Sequence, residues 1–538
     1  MNRHDARDAS ASKPPIARNG TTAPAMGANA LAGKPLAHRR RDLPTGESRR
    51  PIRRPWRAVR EALRRIPLAA WTCALLAVVN AVGWSVISPP FQLPDEPSHF
   101  AYVQHLAETG HLPSSNGEHY PQAEEVAMSY LLQTQVRFSQ ENHPISTPAE
   151  QQQLESELDV PYSRSQPGDA GVAASQPPLY YALETIPYAL ASGGTLLDQL
   201  ALMRLLSALF GGLTALFAFM FLREALPGTP WVWTVGGLGV ALTPALAMMS
   251  GAVNPDALLF AVSSALFYCL ARAFRRGLTR RIAIAIGATI AIGCMTKLTF
   301  LGLVPGAVLA LVALAVRDAR ASGRTAYRSL AVALALAAAP ACLYLIDNAL
   351  SGKTTLNVLS GTLTATGHRS IPGAIAYIWQ IYLPRLPDMT PTFHGTSGEA
   401  IWFEQLVGKY GWLDTTFPAW VVKVALFPAA ILALLFARAL VASRGALRLR
   451  LVEILIYLVM ALGVLAIIGI DEYIHRIPNE YMQFRYVLPL VALMGAALAL
   501  AARGAGRRWG PVAGALIVML LLAHDLFSQL LVISRYYG

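Results

Sequence analysis

Cysteine is nearly absent. The 538 residues hold four, and Cys73, Cys269, Cys294 and Cys342 each lie inside a long apolar run, with no Cys-x-x-Cys pair among them. That excludes disulfide staples in the polar segments and a thiolate metal site. Charge is scarce too: Asp, Glu, Lys and Arg make up 14% of the chain, against about 25% in soluble domains. No G-x-x-x-x-G-K-[ST] run and no G-x-G-x-x-G run occurs. The two commonest backbone cradles for nucleotide phosphates are therefore missing, and an activated donor has to arrive in another form.

What fills the chain instead is hydrocarbon. Hydrophobic residues account for 54% and the mean hydropathy is +0.40, the composition of an integral membrane protein. A spanning helix needs about 20 apolar residues. Eleven runs approach that length, at 68–88, 200–222, 231–250, 255–273, 281–296, 298–317, 329–349, 419–441, 451–470, 486–502 and 510–533. The fold class expected is an all-α polytopic membrane protein with about eleven transmembrane helices.

Acids are missing from one set of connecting segments. Most of the 45 Lys and Arg residues, but few of the 32 Asp and Glu, fall in the N-terminal tail and the alternate short loops. The positive-inside rule puts those segments in the cytoplasm, the N-terminus inside and the C-terminus outside. The net charge of +13 thus conceals a polarised molecule, basic inside and acidic outside. Spread over short loop ends, the basic residues do not form a nucleic-acid surface.

Residues 1–67 read as a basic cytoplasmic tail without apolar periodicity, mostly disordered. After the first span, 68–88, comes a first outer loop, 89–199. Its 178–193 stretch is apolar but short, and it reads as a helix lying at the outer surface, because a crossing there would invert every arginine-rich loop that follows; a twelfth span is the alternative. Spans two to seven occupy 200–349, a second outer loop 350–418, and the last four spans 419–538.

The first outer loop opens on Pro94-Asp-Glu-Pro-Ser-His-Phe100. Two carboxylates and an imidazole stand there beside a bilayer, bracketed by prolines that restrict the backbone. Asp95 and Glu96 are the candidate catalytic residues: such groups position a hydroxyl, take its proton, or hold a divalent cation. Glu96 and His99 share a helix face at a spacing that also suits metal ligands, so Asp95, Glu96 and His99 are the candidate ligands for a divalent metal. The plainer alternative is a polar cap on a juxtamembrane helix. On the same outer side a few cations stand at span ends or in loops, among them Arg204, Lys297, Arg385, Lys409, Arg476 and Arg485. Arg204, Arg485, Lys297 and Arg385 are the candidates for binding a lipid-linked phosphate, with snorkelling to the interface as the alternative. Asn254-Pro-Asp256 reads as an Asx turn capping the next helix, or as part of the site.

Taken together, Pro94-Asp-Glu-Pro-Ser-His-Phe-Ala-Tyr, Gln176-Pro-Pro-Leu-Tyr-Tyr, Arg204-Leu-Leu-Ser, Asn254-Pro-Asp, Gly411-Trp-Leu-Asp and Phe484-Arg-Tyr-Val-Leu-Pro resemble a family of predicted bacterial membrane proteins. That family resembles in turn the GT-C superfamily of membrane glycosyltransferases, which includes protein mannosyltransferases and the aminoarabinose transferases of lipid A. The likeness runs from about residue 66 to 500. It implies GT-C-like outer loops with juxtamembrane helices, residence in the bacterial inner membrane, and inverting transfer of a sugar from a polyprenyl-phosphate donor to a glycan, lipid or protein acceptor on the periplasmic face. It implies Asp95 as the catalytic carboxylate with Glu96 beside it, and Arg204 and Arg485 in the donor-phosphate role. Divalent metal use differs within the superfamily and stays open. Two other readings fit the residues, a transporter or flippase for a lipid-linked sugar and a non-catalytic subunit of an envelope-assembly complex.

Overall fold

The computed structural model describes residues 60, 63–113, 117, 119–139, 142–143, 147–158, 168–350, 371–391, 398–475 and 483–538. The chain divides into Met1–Leu63 and Arg64–Gly538. The first unit carries nearly all of the expected tail and lies almost wholly outside the described residues, as do Arg476 and much of the second outer loop.

Helices form because the sequence leaves the backbone no other partner. Leu, Ala, Val and Ile bring no polar group to compete with the i to i−4 bond, and in hydrocarbon an unpaired amide costs several kcal/mol. In order they are α1 Leu68–Ile87, α2 Glu96–Thr109, α3 Gln122–Tyr130, α4 Gln133–Val136, α5 Pro148–Leu158, α6 Leu179–Leu190, α7 Leu196–Ala225, α8 Pro230–Ala241, α9 Pro244–Ser250, α10 Asp256–Arg276 and α11 Arg280–Cys294. There follow α12 Val304–Ser322, α13 Arg324–Leu350, α14 Ile371–Tyr382, α15 Gly398–Gly408, α16 Ala419–Ala442, α17 Arg444–Leu449, α18 Leu451–His475, α19 Val491–Gly504 and α20 Gly506–Tyr537. Two-residue strands β1 Lys409–Tyr410 and β2 Thr415–Thr416 pair antiparallel around the Gly411-Trp-Leu-Asp turn. Proline at the first turn starts α8 and α9, and a Thr195–Asp198 capping box starts α7.

Among the described residues nine helices are long and apolar enough to cross a membrane, and ten if α8 and α9 count as one span. The protein is an all-α polytopic membrane protein. The runs expected at 231–250 and 281–296 look different in three dimensions. The first is broken by 59° between α8 and α9, where Pro244 cannot continue the preceding helix. The second is α11, 15 residues long and so about 22 Å at about 1.5 Å per residue, short of the ~30 Å hydrocarbon thickness. Helix α6, in the 178–193 stretch, has 12 residues and reaches only about 18 Å.

Helices α7 and α10 are the most buried of the spans and α1 packs on α7, with Phe221, Phe260, Phe267 and Trp84 fully buried between neighbours. Helix α16 is the opposite, with Phe427 and Leu434 turned outward, the pattern of a lipid-facing element. Two crossings depend on absent side chains. A Cβ on Gly302 would meet the Gly463 carbonyl oxygen at 2.7 Å, and one on Gly236 would meet that of Gly495 at 2.5 Å, so the backbones approach as closely as small-residue packing in membranes allows.

Charged groups collect at two opposite ends of this bundle. Helix α7 begins near Arg204 and ends at Glu224, which meets Arg272, Arg275 and Arg276 at the far end of α10. Helix α10 starts from Asp256 at the end where Asp95, Lys297 and Arg485 lie.

Candidate functional site

The site is built on the turn between α1 and α2. Asp95 has φ +61° and ψ 7°, a left-handed conformation that a residue with a Cβ adopts at a cost of about 1 kcal/mol or more. Its neighbour explains how the turn is held there. Glu96 is fully buried, and its carboxylate takes four hydrogen bonds: from Arg204 Nε at 2.8 Å and Nη2 at 2.6 Å, and from the backbone N–H groups of Phe91 at 3.0 Å and Val253 at 3.1 Å. Arg204 also donates to the carbonyl oxygens of Ser85, Ser88 and Pro89, so all five of its N–H groups are used. One ion pair thereby ties the end of α1, the start of α2, the α9–α10 turn and α7 together.

Both partners of that pair differ from the sequence expectation. Glu96 has no lone pair turned toward a substrate, and Arg204 has no donor left for a phosphate. His99 shares a hydrogen bond of 2.9 Å between its Nδ1 and the Tyr181 hydroxyl. The expected ligand set of Asp95, Glu96 and His99 therefore does not converge, and among the described residues no three His, Cys, Asp or Glu groups are arranged to hold a metal ion.

Asp95 faces another way. Its Oδ2 accepts a hydrogen bond from Arg485 Nη2. Arg485 Nε lies 3.9 Å from Asp256 Oδ2, and Lys297 Nζ donates to Asp256 Oδ1 at 2.6 Å. Asn254 shapes this corner, its Oδ1 accepting the Asp256 N–H at 3.0 Å and its Nδ2 donating to the Pro94 carbonyl at 3.2 Å. The Tyr486 ring lies 5.7 Å from the Lys297 ammonium and 5.2 Å from the Arg485 guanidinium. The result is a chain of alternating carboxylates and cations, Asp95–Arg485–Asp256–Lys297, and exposure within it is uneven. The Asp95 side chain is 29% exposed against 4% for Arg485, 1% for Asp256 and 11% for Lys297. Asp95 is the most exposed member of the four.

Several polar atoms in this corner remain unmatched. Among the described residues Arg485 Nη1 has no hydrogen-bond partner, and Arg485 Nε and Asp256 Oδ2, 3.9 Å apart, face each other beyond hydrogen-bond range, although a buried donor left unpaired costs about 1–3 kcal/mol. Burial alone would raise the Asp95 carboxyl, but the Arg485 guanidinium, with Lys297 adding to it, outweighs burial and holds the group below the ordinary carboxylate range.

The family model for predicted membrane proteins designated DUF2142 matches residues 78–494. The chain belongs to this family. No curated protein matches it. Among solved structures it is similar to ArnT from Cupriavidus metallidurans in the apo state, with TM-score 0.42, 15% identity, and coverage of 80% of this chain and 59% of that one. It is similar also to the Archaeoglobus fulgidus oligosaccharyltransferase in the apo form, with TM-score 0.41, 12% identity, and coverage of 87% and 56%. The oligosaccharyltransferase AglB from Archaeoglobus fulgidus in complex with an inhibitory peptide and a dolichol-phosphate gives TM-score 0.41, 11% identity, and coverage of 87% and 56%. The DUF2142 chain thus spans less than two-thirds of the length of these solved chains.

The motifs quoted from the DUF2142 sequence meet at one end of the fold. Tyr181 reaches His99, Arg204 reaches Glu96, Asn254 reaches Pro94, and Arg485 reaches Asp95. The Leu179 N–H donates to the Met295 carbonyl at 3.0 Å, tying α6 to the Lys297 turn. A narrow crevice beside Arg485 is lined by Pro94, Gln405, Lys409 and Gly411, and Gln405 Oε1 accepts the Phe484 N–H at 2.5 Å. Arg385 is not brought to this cluster: it is exposed and donates to the Met389 carbonyl at 2.7 Å. Asp414, at the end of the hairpin turn, faces Arg535 instead, 3.8 Å away. Tyr486 and Tyr181 were not singled out in the sequence, although each sits in a quoted motif. An aromatic directly after an outer arginine was the available signal for Tyr486.

His99 carries a testable consequence. Burial pushes its imidazole down to about 3, with Lys297 and Arg485 adding to the effect and Asp95 opposing it. The folded protein therefore keeps His99 neutral, while the unfolded chain takes a proton below about 6.5. Stability should fall as pH drops from 6.5 toward 3. The expected result is a melting temperature in detergent that declines between pH 7 and pH 5, and a smaller decline in His99→Gln. Equal declines in the two proteins would contradict this assignment.

Proposed function

We propose that the protein is an inverting GT-C-like glycosyltransferase that moves a sugar from a polyprenyl-phosphate donor to an acceptor hydroxyl or amide in the cell envelope, working on the outer face of the bacterial inner membrane. The observation that carries the reading is Arg485. Among the described residues its buried Nη1 has no hydrogen-bond partner and its Nε has only the Asp256 carboxylate, 3.9 Å away, at the end of a bundle of apolar helices with Asp95 and Lys297 alongside. Buried guanidinium donors without acceptors suit an anionic group that comes from outside. A lipid carrier suits the surroundings, since its isoprenoid can lie along the helices while its phosphate meets the cations. The positive-inside distribution of Lys and Arg supports the outward orientation of this end.

In this reading the ground-state pair is a latch. Arg485 holds Asp95 ionised while the site is empty. A donor phosphate draws the guanidinium to itself, and Asp95, losing its counter-charge, becomes more basic. Asp95 then takes the acceptor proton as the acceptor heteroatom attacks the anomeric carbon. The bond from that carbon to the phosphate oxygen breaks, and its electron pair leaves on the phosphate, where Arg485 and Lys297 neutralise it. A single carboxylate suffices, because inversion needs no covalent sugar–enzyme intermediate. Asp256 positions the two cations. Glu96 and Arg204 hold the turn that presents Asp95.

Binding of a polyprenyl monophosphate to the purified protein tests the phosphate half of the proposal without knowledge of the sugar. Charge-assisted hydrogen bonds contribute about 1.5–3 kcal/mol, so Arg485→Gln should weaken retention of the lipid by roughly tenfold to a hundredfold, read by native mass spectrometry. Arg385→Gln should leave it unchanged. Equal affinity in wild type and Arg485→Gln would remove Arg485 from the role and the reading with it.

A further inference from the structure

At the end of the bundle opposite Asp95 lies a larger cavity, of about 600 Å³. It opens between the ends of α7 and α10, the last turns of α12, and the α17–α18 junction. Its polar lining is uneven in sign: Arg275, Arg317, Arg320 and Arg450 face it, against Glu224 and Glu453. The two glutamates are buried, with side chains 2% and 6% exposed, and both are already engaged. Glu224 takes Arg275 at 3.1 Å and Arg276 at 2.9 Å. Glu453 takes Arg450 at 2.7 Å and the Tyr457 hydroxyl at 2.9 Å. They serve to fan guanidinium groups around the opening, which keep an excess of positive charge. Arg317 is fixed by Asp318 and the Phe274 carbonyl. Among the described residues Arg320 has no carboxylate partner.

The rest of the wall is apolar, formed by side chains of the membrane-crossing helices themselves. Val316 from α12 is 48% exposed there. A soluble anion has no use for such a wall, whereas a phosphodiester with two acyl chains matches both halves. Arginines meet the phosphate bidentately, and the chains continue down the helix faces. Basic pockets between helices at the level of the headgroups bind anionic lipids on these grounds.

We infer that this cavity is a specific site for one anionic phospholipid of the leaflet opposite the Asp95 end, recognised by Arg320 and Arg317 and seated against the apolar face of α12. The site is independent of sugar transfer, and the lipid holds the ends of α10, α12 and α18 together.

The test uses the full chain in nanodiscs of phosphatidylcholine containing a minor fraction of phosphatidylglycerol. Native mass spectrometry of the released protein should show one retained phosphatidylglycerol per chain, and the melting temperature should rise with the phosphatidylglycerol fraction. Arg320→Glu, at an exposed position, should reduce retention at least tenfold and abolish the rise, while melting like wild type in pure phosphatidylcholine. Val316→Trp, which fills the wall without changing charge, should reduce retention as well. Arg507→Glu, at the same end but outside the cavity, should change neither reading. Retention that survives both Arg320→Glu and Val316→Trp overturns the inference. An equal rise in melting temperature from inorganic phosphate alone overturns the lipid assignment.

Discussion

Asp95→Asn should lower the rate of sugar transfer by about a hundredfold to ten-thousandfold, the range that a positioned general base contributes, in a protein that still folds and inserts. Asparagine is the informative replacement because of the backbone. At φ +61° most side chains are strained, but Asn visits the left-handed region at least as readily as Asp, and its oxygen can still accept from Arg485. Lost activity with an unchanged melting temperature therefore reports the missing base and not a collapsed turn. Retention of polyprenyl phosphate should persist, because Arg485 is freed rather than removed. Activity within a few-fold of wild type would eliminate Asp95 as the base. The pH profile sharpens the test. In the empty enzyme Arg485 holds the Asp95 carboxyl below its ordinary range, so kcat/KM should show no acid limb from Asp95 between pH 5 and 8. The donor phosphate competes for Arg485, so any acid limb belongs in kcat, which reports the bound state.

The two expectations for the motif Pro94-Asp-Glu-Pro-Ser-His fared differently, for a physical reason. Membrane spans are legible because hydrocarbon imposes one solution on a run of apolar residues, and nine of the expected runs appear as long helices. Which of two adjacent carboxylates faces a substrate is not local information. Asp95 and Glu96 have the same chemistry and the same bracketing prolines. Their fates separate through distant partners: Arg204, 108 residues further on, and a backbone N–H at Val253 take Glu96, while Arg485 takes Asp95. Arg204 and Arg485 likewise looked interchangeable as outer arginines at span ends. One is saturated by a carboxylate and three carbonyls, and the other, among the described residues, keeps two nitrogens without a hydrogen bond. The break between α8 and α9 was legible in principle, since Pro244 stands in the middle of the 231–250 run, whereas the short reach of α11 follows only from counting its helical residues.

Glu96→Ala is expected to be the most destabilising change at this end of the fold. It leaves the Arg204 guanidinium buried, with its carboxylate partner gone and the Phe91 and Val253 N–H groups unmatched. Breaking a buried pair in this way costs about 3–5 kcal/mol, a large fraction of the 5–15 kcal/mol that holds a typical protein folded. The expected result is a sharp fall in folded yield and in melting temperature. Arg204→Met should do the same. The double variant Glu96→Met with Arg204→Met should be less destabilised than the sum of the two single changes, because no uncompensated charge remains. The combined pattern also tests the division of labour between the adjacent carboxylates. If Glu96 were the base, Glu96→Gln would fold normally and transfer nothing. If it is the brace of the turn, the loss appears in stability, and the molecules that do fold keep activity within about tenfold of wild type, because the proton acceptor beside them is untouched.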